Sequence, residues 1–599
     1  MDRKSIIVLA LSFILLMAWY PLVNRYLYPP APTNSLARAT HTPSSTNPAS
    51  LSTNAGLAFV EPAVLPSAST FVQPRAPEEL LVLEDKEARY TFSSHGGGLK
   101  QIELKEYLET IPCGARTPAG PNRFATLNKQ APAPIMALLG SETLQGDNVF
   151  QLRRTENGVQ TEKIFTNGLR LLKEFHLGTN YLLDATIRLE NHSAQPIRIP
   201  SRELVIGTAT PTSTNAKPNV LGVFCYDGNR AENIGEPWFA GRTISCLPGT
   251  PKTKYESPGT NVVWVAVHNQ FFTILVMPKE PAPKMVTHRV PLVRADTLAE
   301  SNGARRGTDP TGFQAAFFYP ESILTTNQPV EQHFEIFAGP KEYNTLARLG
   351  NNQDLVMDFG KYFGFFAKAL LLAMNGLHAF GLPYGWAIIV ITIIIKGTFW
   401  PLTQASTRSM KRMAALQPQM KALQEKYKDD PKKMNLKLME FMKENKVSPL
   451  GGCLPMLLQI PVFFGFYTML QSAIELRGAR FLWACDLSQP DTLFVIPGLN
   501  VPFNLLPLIM GATQLWQAHM TPPSPGVDPM QQKIMKYMPL MFLVILYNFS
   551  AGLALYWTVQ NLLTIAQMKL TKTTAGQPGV PAKKPVPPAR ASGDLKKKK

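Results

Sequence analysis

A lysine lies in the middle of a strongly apolar run of the chain. Lys396 follows the segment Trp386-AIIVITIII, and no acidic residue occurs before Gln404 to neutralise it. A lysine near the centre of a bilayer costs about 2.5–3.5 kcal/mol on insertion scales, so its ammonium group should face protein or water. Snorkelling to the headgroups is the alternative. The next basic residue, Arg408, lies twelve residues further on, roughly 18 Å along a helix, so we predict a functional, inward-facing lysine.

Polar side chains in the apolar runs would line a hydrated cavity around this lysine. Thr392 precedes Lys396 by about one helical turn, and Thr403 shares its face. Other runs contribute amides and hydroxyls: Gln459, Gln471, Thr513, Gln514, Gln517, Thr558, Gln560, Asn561 and Thr564. For any single amide, an ordinary hydrogen bond between helices is the simpler interpretation. Together with an unpaired lysine the set indicates a hydrated groove inside the membrane. To this groove we assign Lys396, Thr392, Thr403, Gln459, Gln514, Gln560 and Asn561.

The elements that must position these residues are predicted to be six transmembrane helices. Residues 1–28 contain the apolar run Ile6–Tyr20 after two basic residues, with no cleavage site close behind it, which predicts an uncleaved anchor. A five-helix core is predicted over residues 383–570, because its apolar runs have about the length needed to cross the hydrocarbon core. These runs are 383–404, 450–474, 494–516, 534–550 and 552–569.

Basic segments set the predicted orientation of the helices. Eleven Lys or Arg residues against five Asp or Glu lie between Arg408 and Lys446, and the tail 571–599 ends in four lysines. Since basic loops stay in the cytoplasm, both termini are predicted to be cytoplasmic and residues 475–493 to lie outside. The net charge of +18 is therefore a signal of topology first. The tail would bind ribosomal RNA or anionic lipid, or it is merely solvated.

Residues 405–447 are predicted to form a cytoplasmic helical hairpin. Apolar residues recur at helical spacing on both sides of a break at Asp429-Asp430-Pro431. The hairpin is either a solvated determinant of topology or a docking surface, on which flexible methionines adapt to apolar partners. The two interpretations are weighed equally. The candidate docking residues are Arg408, Lys411, Arg412, Met413, Met434 and Lys437.

Between the anchor and the core the composition changes twice. Residues 29–79 are rich in Pro, Ser, Thr and Ala with few large apolar residues, which predicts a disordered linker. Residues 80–345 consist of short alternating or β-branched runs separated by Gly, Asn and Pro. This texture predicts an antiparallel β-sandwich, and the orientation of the helices places it outside the cytoplasm.

A further amphipathic segment is predicted at residues 346–382. Its four charged residues recur at steps of four, three and seven, so they would share one helical face opposite aromatic side chains. These residues are Asp354, Asp358, Lys361 and Lys368. Such a helix is expected to lie in the membrane interface rather than to cross the bilayer.

Signatures of catalysis are missing from the sequence. It contains no nucleotide-binding P-loop, no H-E-x-x-H and no G-x-S-x-G, so we predict no enzyme, no metal site and no cofactor. The string from His95 to Gly98 resembles an oxyanion loop, but a glycine turn beside a strand is favoured. The five cysteines have no CxxC spacing, so neither a zinc site nor a disulfide framework is indicated. A bridge between Cys225 and Cys246 stays open.

Four strings in the C-terminal half resemble a known family. They are Phe399-Trp-Pro-Leu-Thr403, Lys446-Val-Ser-Pro-Leu-Gly-Gly-Cys-Leu-Pro455, Asp528-Pro-Met-Gln-Gln-Lys-Ile-Met535 and Gly552-Leu-Ala-Leu-Tyr-Trp557. These strings are similar to the membrane protein insertases of the YidC/Oxa type, densely over residues 355–570. Weaker similarity at residues 92–107 and 337–350 is to the periplasmic domain of the Gram-negative form.

The resemblance implies an insertase and chaperone of the bacterial inner membrane, with a groove open to the cytoplasm and to lipid. Lys396, at the family's basic position, would attract acidic residues of a substrate's tail. Gram-negative relatives typically have arginine there, and lysine keeps the charge but loses the planar fork. Trp557 would line the groove where the family commonly has tyrosine, so a hydroxyl contact does not carry over.

The implied partners are nascent integral membrane proteins, the Sec translocon with its accessory subunits, and membrane lipids. Two functions of other classes remain as alternatives. A polytopic solute transporter would also contain a membrane lysine, but it should show internal repeats and paired broken helices. An envelope scaffold would depend on residues 80–340 and would survive the loss of Lys396.

Overall fold

The computed structural model describes a β-rich N-terminal part and a helical C-terminal part of the chain. The residues that it describes are 71–113, 123–212, 220–241, 250–293, 311–360, 362–445, 447, 454–497, 501–521, 537, 541 and 543–571. The predicted anchor 1–28, the basic tail beyond residue 571, most of the linker 29–79, and residues 534–536, 538–540 and 542 of the span 534–550 lie outside the described residues.

Antiparallel sheets build the N-terminal part. The strands are β1 Leu80–Glu84, β2 Ala88–Ser93, β3 Gly98–Leu108, β4 Phe124–Leu127, β5 Leu138–Gly140, β6 Gln151–Thr155, β7 Gly158–Ile164, β8 Leu169–Leu177, β9 Leu182–Asn191, β10 Ile197–Ile199, β11 Arg202–Ala209, β12 Gly222–Tyr226, β13 Ala231–Gly235, β14 Lys254–Glu256, β15 Trp264–His268, β16 Phe272–Pro278, β17 Lys284–Pro291, β18 Thr311–Tyr319, β19 Ser322–Leu324 and β20 Val330–Pro340.

These strands form two large sheets and two small ones. The nine-stranded sheet has the order β13-β12-β15-β16-β20-β9-β8-β7-β6, and the five-stranded sheet has the order β14-β17-β18-β11-β5. A four-stranded sheet contains β1 to β4, and β10 pairs with β19. Neighbouring strands run antiparallel, and the two large sheets pack face to face. The predicted antiparallel β-rich domain is therefore confirmed.

The sequence of each strand reflects how many of its faces are covered. In β9 the residues alternate between buried and more exposed positions, which is the period of a half-buried strand. In β16 nearly every residue is buried, as in a strand covered on both sides. The Phe272 ring of β16 lies 5.4 Å, centroid to centroid, from the Tyr107 ring of β3. A Cβ added at Gly207 of β11, in the five-stranded sheet, would lie 3.1 Å from the Val267 side chain of β15, in the facing nine-stranded sheet.

The glycine string after His95 forms a turn between β2 and β3. Gly96 and Gly97 have φ values of 75° and 56°, a conformation that glycine adopts without steric cost. The carbonyl oxygen of Gly96 accepts a hydrogen bond from the buried Lys173 ammonium group at 2.7 Å, and that of Gly97 accepts one from Thr161 at 3.1 Å. The structural interpretation of this string is therefore correct.

Helices dominate the C-terminal part. The described helices of the chain are α1 Glu142–Gln145, α2 Glu236–Phe239, α3 Tyr343–Arg348, α4 Gly364–Ala379, α5 Tyr384–Thr398, α6 Trp400–Ala415, α7 Gln417–Lys426, α8 Pro431–Glu444, α9 Leu454–Ser472, α10 Leu505–Met520 and α11 Ala551–Leu570. Helix α4 packs along α9, where the Phe363 and Phe464 rings stack at 5.1 Å. Helix α11 packs on both α5 and α10.

The predicted amphipathic helix over residues 346–382 is wrong before Gly364. Residues Gln353–Met357 form a 3-10 turn, and the chain then leaves helical geometry at Asp358 and Gly360, with φ values of 51° and 78°. Helix α4 starts only afterwards, so the four charges do not share one helical face. Two of the four charges nevertheless meet, because Lys368 Nζ lies 3.3 Å from Asp354 Oδ2 across the break.

The apolar run 383–404 is bent rather than straight. Helix α5 ends at Thr398, and α6 begins at Trp400 with Pro401 in its first turn, where a proline is tolerated. No single described helix is long and apolar enough by itself to cross a membrane. The pair α5 and α6, bent by 64°, meets that criterion jointly.

The hairpin 405–447 contains one more break than predicted. A second proline, Pro418, starts a new helix, α7, directly after α6 ends at Ala415. The predicted break before α8 is present, and its cause is visible: the Asp430 side chain accepts a hydrogen bond from the Lys433 amide at 3.1 Å. Pro431 follows at the first position of the helix. Both residues are typical of a helix N-terminus.

The apolar run 494–516 does not begin as a helix. Strands β21 Thr492–Ile496 and β22 Val501–Asn504 form a hairpin, and α10 starts only at Leu505. The Asp491 carboxylate accepts a hydrogen bond from the Leu506 amide at 2.7 Å, which satisfies one free amide of the first turn of α10. Hydropathy alone did not distinguish a strand hairpin from the first turns of a span.

The cysteines differ from the expectation that no disulfide is indicated. Cys113 and Cys485 are bonded to each other across 372 residues of sequence. Cys225 is a free, buried thiol, and Cys246 lies outside the described residues. Spacing along the chain carries no information about a bridge of such long range.

Candidate functional site

Polar side chains of the last helix, α11, connect it to three other helices. Five of residues 558 to 567 of this helix are buried, and four of these five are polar. Six residues form what we call the polar seam: Lys396, Thr403, Thr513, Asn561, Thr564 and Gln567. The three seam residues of α11 recur every three residues, so they advance slowly around the helix and each meets a different neighbour.

Lys396 of α5 is the charged member of the polar seam. Its side chain is buried, with 7% of the residue exposed, and its Nζ donates a hydrogen bond of 2.8 Å to Thr564 Oγ1. The Thr564 hydroxyl in turn donates to the carbonyl oxygen of Gln560 at 2.7 Å, which leaves its lone pairs facing the lysine. Among the described residues, no acidic side chain forms an ion pair with Lys396. The lysine is thus held by a neutral partner.

Gln567 and Lys411 fasten α6 to α11 just beyond the bend. Gln567 Nε2 donates to Thr403 Oγ1 at 2.6 Å and to the Trp400 carbonyl oxygen at 3.3 Å. Lys411 Nζ donates to the carbonyl oxygens of Met568 and Thr571, at 3.0 and 2.7 Å. A cation at the C-terminus of a helix satisfies free carbonyls and complements the helix dipole. These contacts hold the bent segment against the last helix.

Predicted groove residues within and beside the polar seam differ in their contacts. Thr392 is buried and donates to the Ile388 carbonyl oxygen of its own helix at 2.6 Å. Asn561 Nδ2 donates to Thr513 Oγ1 of α10 at 3.2 Å. The Trp557 ring meets the Phe463 ring of α9 edge to face at 4.8 Å.

The amides around the polar seam are unevenly satisfied. Gln459 forms a hydrogen bond with the Tyr556 side chain, and Gln560 is buried with 9% of the residue exposed. The side-chain oxygens of Gln514 and Gln517 on α10 are buried without a hydrogen-bond partner in the described part of the chain. Buried polar atoms are nearly always paired in proteins, with protein groups or with water. A hydrated environment on this side of α10 would satisfy them.

Thr564 and Gln567 of the seam were not assigned to the groove from the sequence. Gln567 was not selected, and Thr564 was noted only as one polar residue among many. The available signal was the spacing of Asn561, Thr564 and Gln567 along one helix. Which residue would contact Lys396 was not predictable, because that depends on the packing of α5 against α11.

The hairpin residues divide into exposed and structural ones. Arg408 and Arg412 are exposed, whereas Met413 is buried. Met434 is half-buried, and Lys437 forms an ion pair of 2.6 Å with Glu440. The large apolar side chains most open to a partner on α8 are instead Leu436 and Met439, with 56% and 68% of each residue exposed.

Comparison with known proteins assigns the chain to a family. A profile described as YidC periplasmic domain matches residues 81–373, and one described as 60Kd inner membrane protein matches residues 376–577. A membrane protein insertase YidC of Syntrophus aciditrophicus is 30% identical over 587 residues, which cover 95% of this chain and 98% of that protein. The chain belongs to the YidC family of membrane protein insertases.

Other relatives agree with this assignment. A membrane protein insertase YidC of Pelobacter propionicus is 34% identical over 498 residues, covering 80% of this chain and 83% of that protein. A crystal structure of an active YidC insertase is 16% identical in sequence, and the match covers 84% of this chain and 96% of the crystallised chain with a TM-score of 0.34; the assignment rests on the sequences. As a YidC family member, the chain is a bacterial inner-membrane protein with a periplasmic β-rich domain and a helical C-terminal part.

A second buried polar cluster lies where the turn after α9 meets α4. Asn375 Nδ2 donates to Glu475 Oε1 at 3.0 Å. The other oxygens of both side chains, Glu475 Oε2 and Asn375 Oδ1, are buried without a partner in the described structure. Burial raises the pKa of the Glu475 carboxyl, and nearby Glu342 acts in the same direction. A proton on this carboxyl supplies the donor that the cluster lacks.

We expect Glu475→Gln to be tolerated and to remove a pH dependence of stability. A carboxyl whose pKa is raised by folding stabilises the native state below its unfolded pKa, and this contribution is lost as the pH rises through the folded pKa. The variant has a permanent amide donor, so its thermal midpoint should vary less with pH than that of the unmodified chain. The measurement is thermal unfolding of the full chain in detergent between about pH 4 and pH 8. Parallel pH profiles for the two proteins would contradict the protonated carboxyl.

Proposed function

We propose that this chain inserts integral membrane proteins into the bacterial inner membrane through a hydrated groove around Lys396. The observation that carries the proposal is the buried lysine whose described hydrogen-bond partner is the neutral Thr564 hydroxyl. A structural ion pair would have supplied a carboxylate. A lysine without one retains its positive charge for a group that arrives from outside, and an acidic segment of a substrate is such a group.

The proposed mechanism needs no chemical fuel. A substrate segment of about 20 apolar residues lowers its free energy by entering lipid, whereas the barrier lies in moving its polar tail through hydrocarbon. A groove that reaches part of the way across the membrane shortens the apolar path of that tail. Lys396 attracts acidic tails, and the uncharged donors and acceptors of the seam solvate the peptide groups of others.

The substrate's apolar segment would leave the groove along α9. Leu457, Ile460 and Phe464 recur at steps of three and four on one face of this helix, and 58%, 37% and 40% of these residues are exposed. Exposed apolar side chains at helical spacing match an incoming apolar helix as well as they match lipid. We propose that this face, with the neighbouring span 534–550, guides the substrate into the bilayer.

We propose that the chain has six transmembrane helices, with both termini in the cytoplasm and residues 475–493 in the periplasm. It is supported by the eleven basic residues between Arg408 and Lys446 against five acidic ones. The Sec translocon is a proposed partner for larger substrates. The ribosome and anionic lipid are proposed partners of the basic tail 571–599, through electrostatic attraction.

Reconstitution tests the function directly. A short single-span protein with an acidic N-terminal tail is added to liposomes that contain the purified chain but no Sec components, and protection of the tail from protease is scored. We expect protection to depend on this chain and to be absent from liposomes that contain an unrelated membrane protein at the same mass ratio. Equal protection in both would overturn autonomous insertion and leave the transporter or scaffold interpretation.

A further inference from the structure

A buried loop after α9 holds several parts of the molecule together. We call residues 473–491 the outer loop. Its carbonyl oxygens at Gln489 and Leu487 accept hydrogen bonds from the first amides of α11, at Ala551 and Gly552, with distances of 2.7 and 2.9 Å. Helix N-termini leave such amides free, so the outer loop caps α11. A Cβ added at Gly385, on α5, would lie 2.3 Å from the Phe481 ring, which shows how closely the loop covers that helix.

The β-rich domain contacts the outer loop through Arg477. One guanidinium nitrogen, Nη2, donates to the carbonyl oxygens of Leu108 and Glu109, at the end of β3. The same guanidinium lies 5.4 Å from the centre of the Phe272 ring, a distance typical of cation–π contacts. A further hydrogen bond of 3.1 Å runs from Gln270 Nε2 to the Gln471 carbonyl oxygen at the end of α9. These noncovalent contacts hold the end of β3 against the loop.

The two bonded cysteines lie at this contact. Cys113 follows β3 by five residues, and Cys485 belongs to the outer loop. Their Cα atoms are 5.8 Å apart, within the usual range for disulfides. Ile111, two residues before Cys113, lies next to Gly478 of the loop. We propose that the Cys113–Cys485 disulfide is a covalent clamp that fixes the β-rich domain to the outer loop of the helical core.

The clamp forms by exchange with a protein disulfide in the oxidising periplasm. One thiolate of the pair attacks the oxidant's disulfide and forms a mixed disulfide, releasing one sulfur of the oxidant as a thiolate. The second cysteine then attacks the mixed disulfide and displaces the other sulfur. The chain loses two electrons and two protons, and the oxidant becomes a dithiol. The reaction requires Cys113 and Cys485 to be on the same, oxidising side of the membrane.

The clamp has a mechanical consequence for the core. Asn375 of α4 and Gly385 of α5 both contact the outer loop, through Glu475 and Phe481. A covalent bond from this loop to the β-rich domain therefore ties the large domain to the last turns of α4 and to the start of α5. The inference concerns how the domains are joined and holds whether or not the chain inserts substrates.

Peptide mapping of the unmodified chain tests the bond. Membranes that contain the full chain are blocked with N-ethylmaleimide and digested with trypsin without reductant. Peptide 106–116, which contains Cys113, should be found joined to the peptide that begins at Phe481 and contains Cys485, and the pair should separate on adding dithiothreitol. Cys225 is the internal control, because a free buried thiol is alkylated only after unfolding. Alkylation of both Cys113 and Cys485 in the folded chain, or bonding of either to another cysteine, would overturn the proposal.

Thermal unfolding in detergent tests the role of the bond as a clamp. Reductant should lower the midpoint of the unmodified chain by several degrees and leave that of a Cys113→Ser, Cys485→Ser double variant unchanged. Cys225→Ala is the matched control, and its midpoint should fall with reductant as in the unmodified chain. An unmodified midpoint that does not respond to reductant would refute the clamp even if the bond is found. Neither readout involves insertion, so failure here is distinct from failure of the proposed function.

Discussion

Replacing Lys396 by methionine is expected to lower insertion of a substrate with an acidic translocated tail by about tenfold. Methionine keeps an unbranched apolar stem but has no charge. Two opposite unit charges 4 Å apart attract by about 4 kcal/mol at an effective dielectric constant near 20, and a tenfold change needs only about 1.4 kcal/mol. Loss of about a third of that attraction is therefore enough to lower insertion tenfold. The measurement is the initial rate of tail protection in Sec-free liposomes.

The conservative variant and the substrate charge make this prediction specific. Lys396→Arg should retain most of the activity, because the positive charge is preserved. A substrate whose tail carries no acidic residue should lose much less on Lys396→Met. Lys432→Met removes one exposed positive charge from the hairpin and serves as the charge-matched control. An equal loss for acidic and neutral tails would show that Lys396 acts through structure and not through its charge.

The fold was predictable from the sequence where one local pattern determines it. Strands such as β9 alternate with period two, and the break before α8 has its capping residue and proline adjacent in sequence. Prediction failed where local patterns compete. In the run 494–516, strand and helix are both compatible with high hydropathy, and the outcome was set by Asp491 binding the amide of Leu506. In the segment 353–360, two residues with positive φ interrupted a pattern of charges that a single helix would have matched.

The sequence predicted which charged residue belongs to the site, but it did not predict which side chains contact that residue. Lys396 was identified because a cation in an apolar run is energetically costly wherever the run lies. The bond from Lys396 to Thr564 spans 168 residues, and the disulfide spans 372. Contacts of such range depend on how helices and domains pack, which a single sequence does not encode in any local spacing. Thr392 shows the same limit, because it was predicted to share a helical face with Lys396, whereas its hydroxyl donates a hydrogen bond to the Ile388 carbonyl oxygen of its own helix.

Substitution of Gly98, the first residue of β3, is expected to lower the stability of the β-rich domain strongly. A Cβ at Gly98 would lie 2.2 Å from the carbonyl oxygen of Ile135. That oxygen cannot move away easily, because it accepts a hydrogen bond of 3.0 Å from Leu99, whose own carbonyl accepts one of 2.9 Å from Ile135. Gly98→Ala must either break this pair of bonds or displace β3. We expect it to destabilise the β-rich domain by about 3 kcal/mol, the upper part of the usual range for overpacking.

Thermal unfolding of the full chain in detergent, followed by tryptophan fluorescence, measures this loss. A domain of this size should melt roughly 6–12 °C lower for such a change. Gly259→Ala is the matched control in the same domain, since its added Cβ would meet only Asp227, at 3.8 Å. An unchanged melting temperature for Gly98→Ala would contradict the close contact with Ile135.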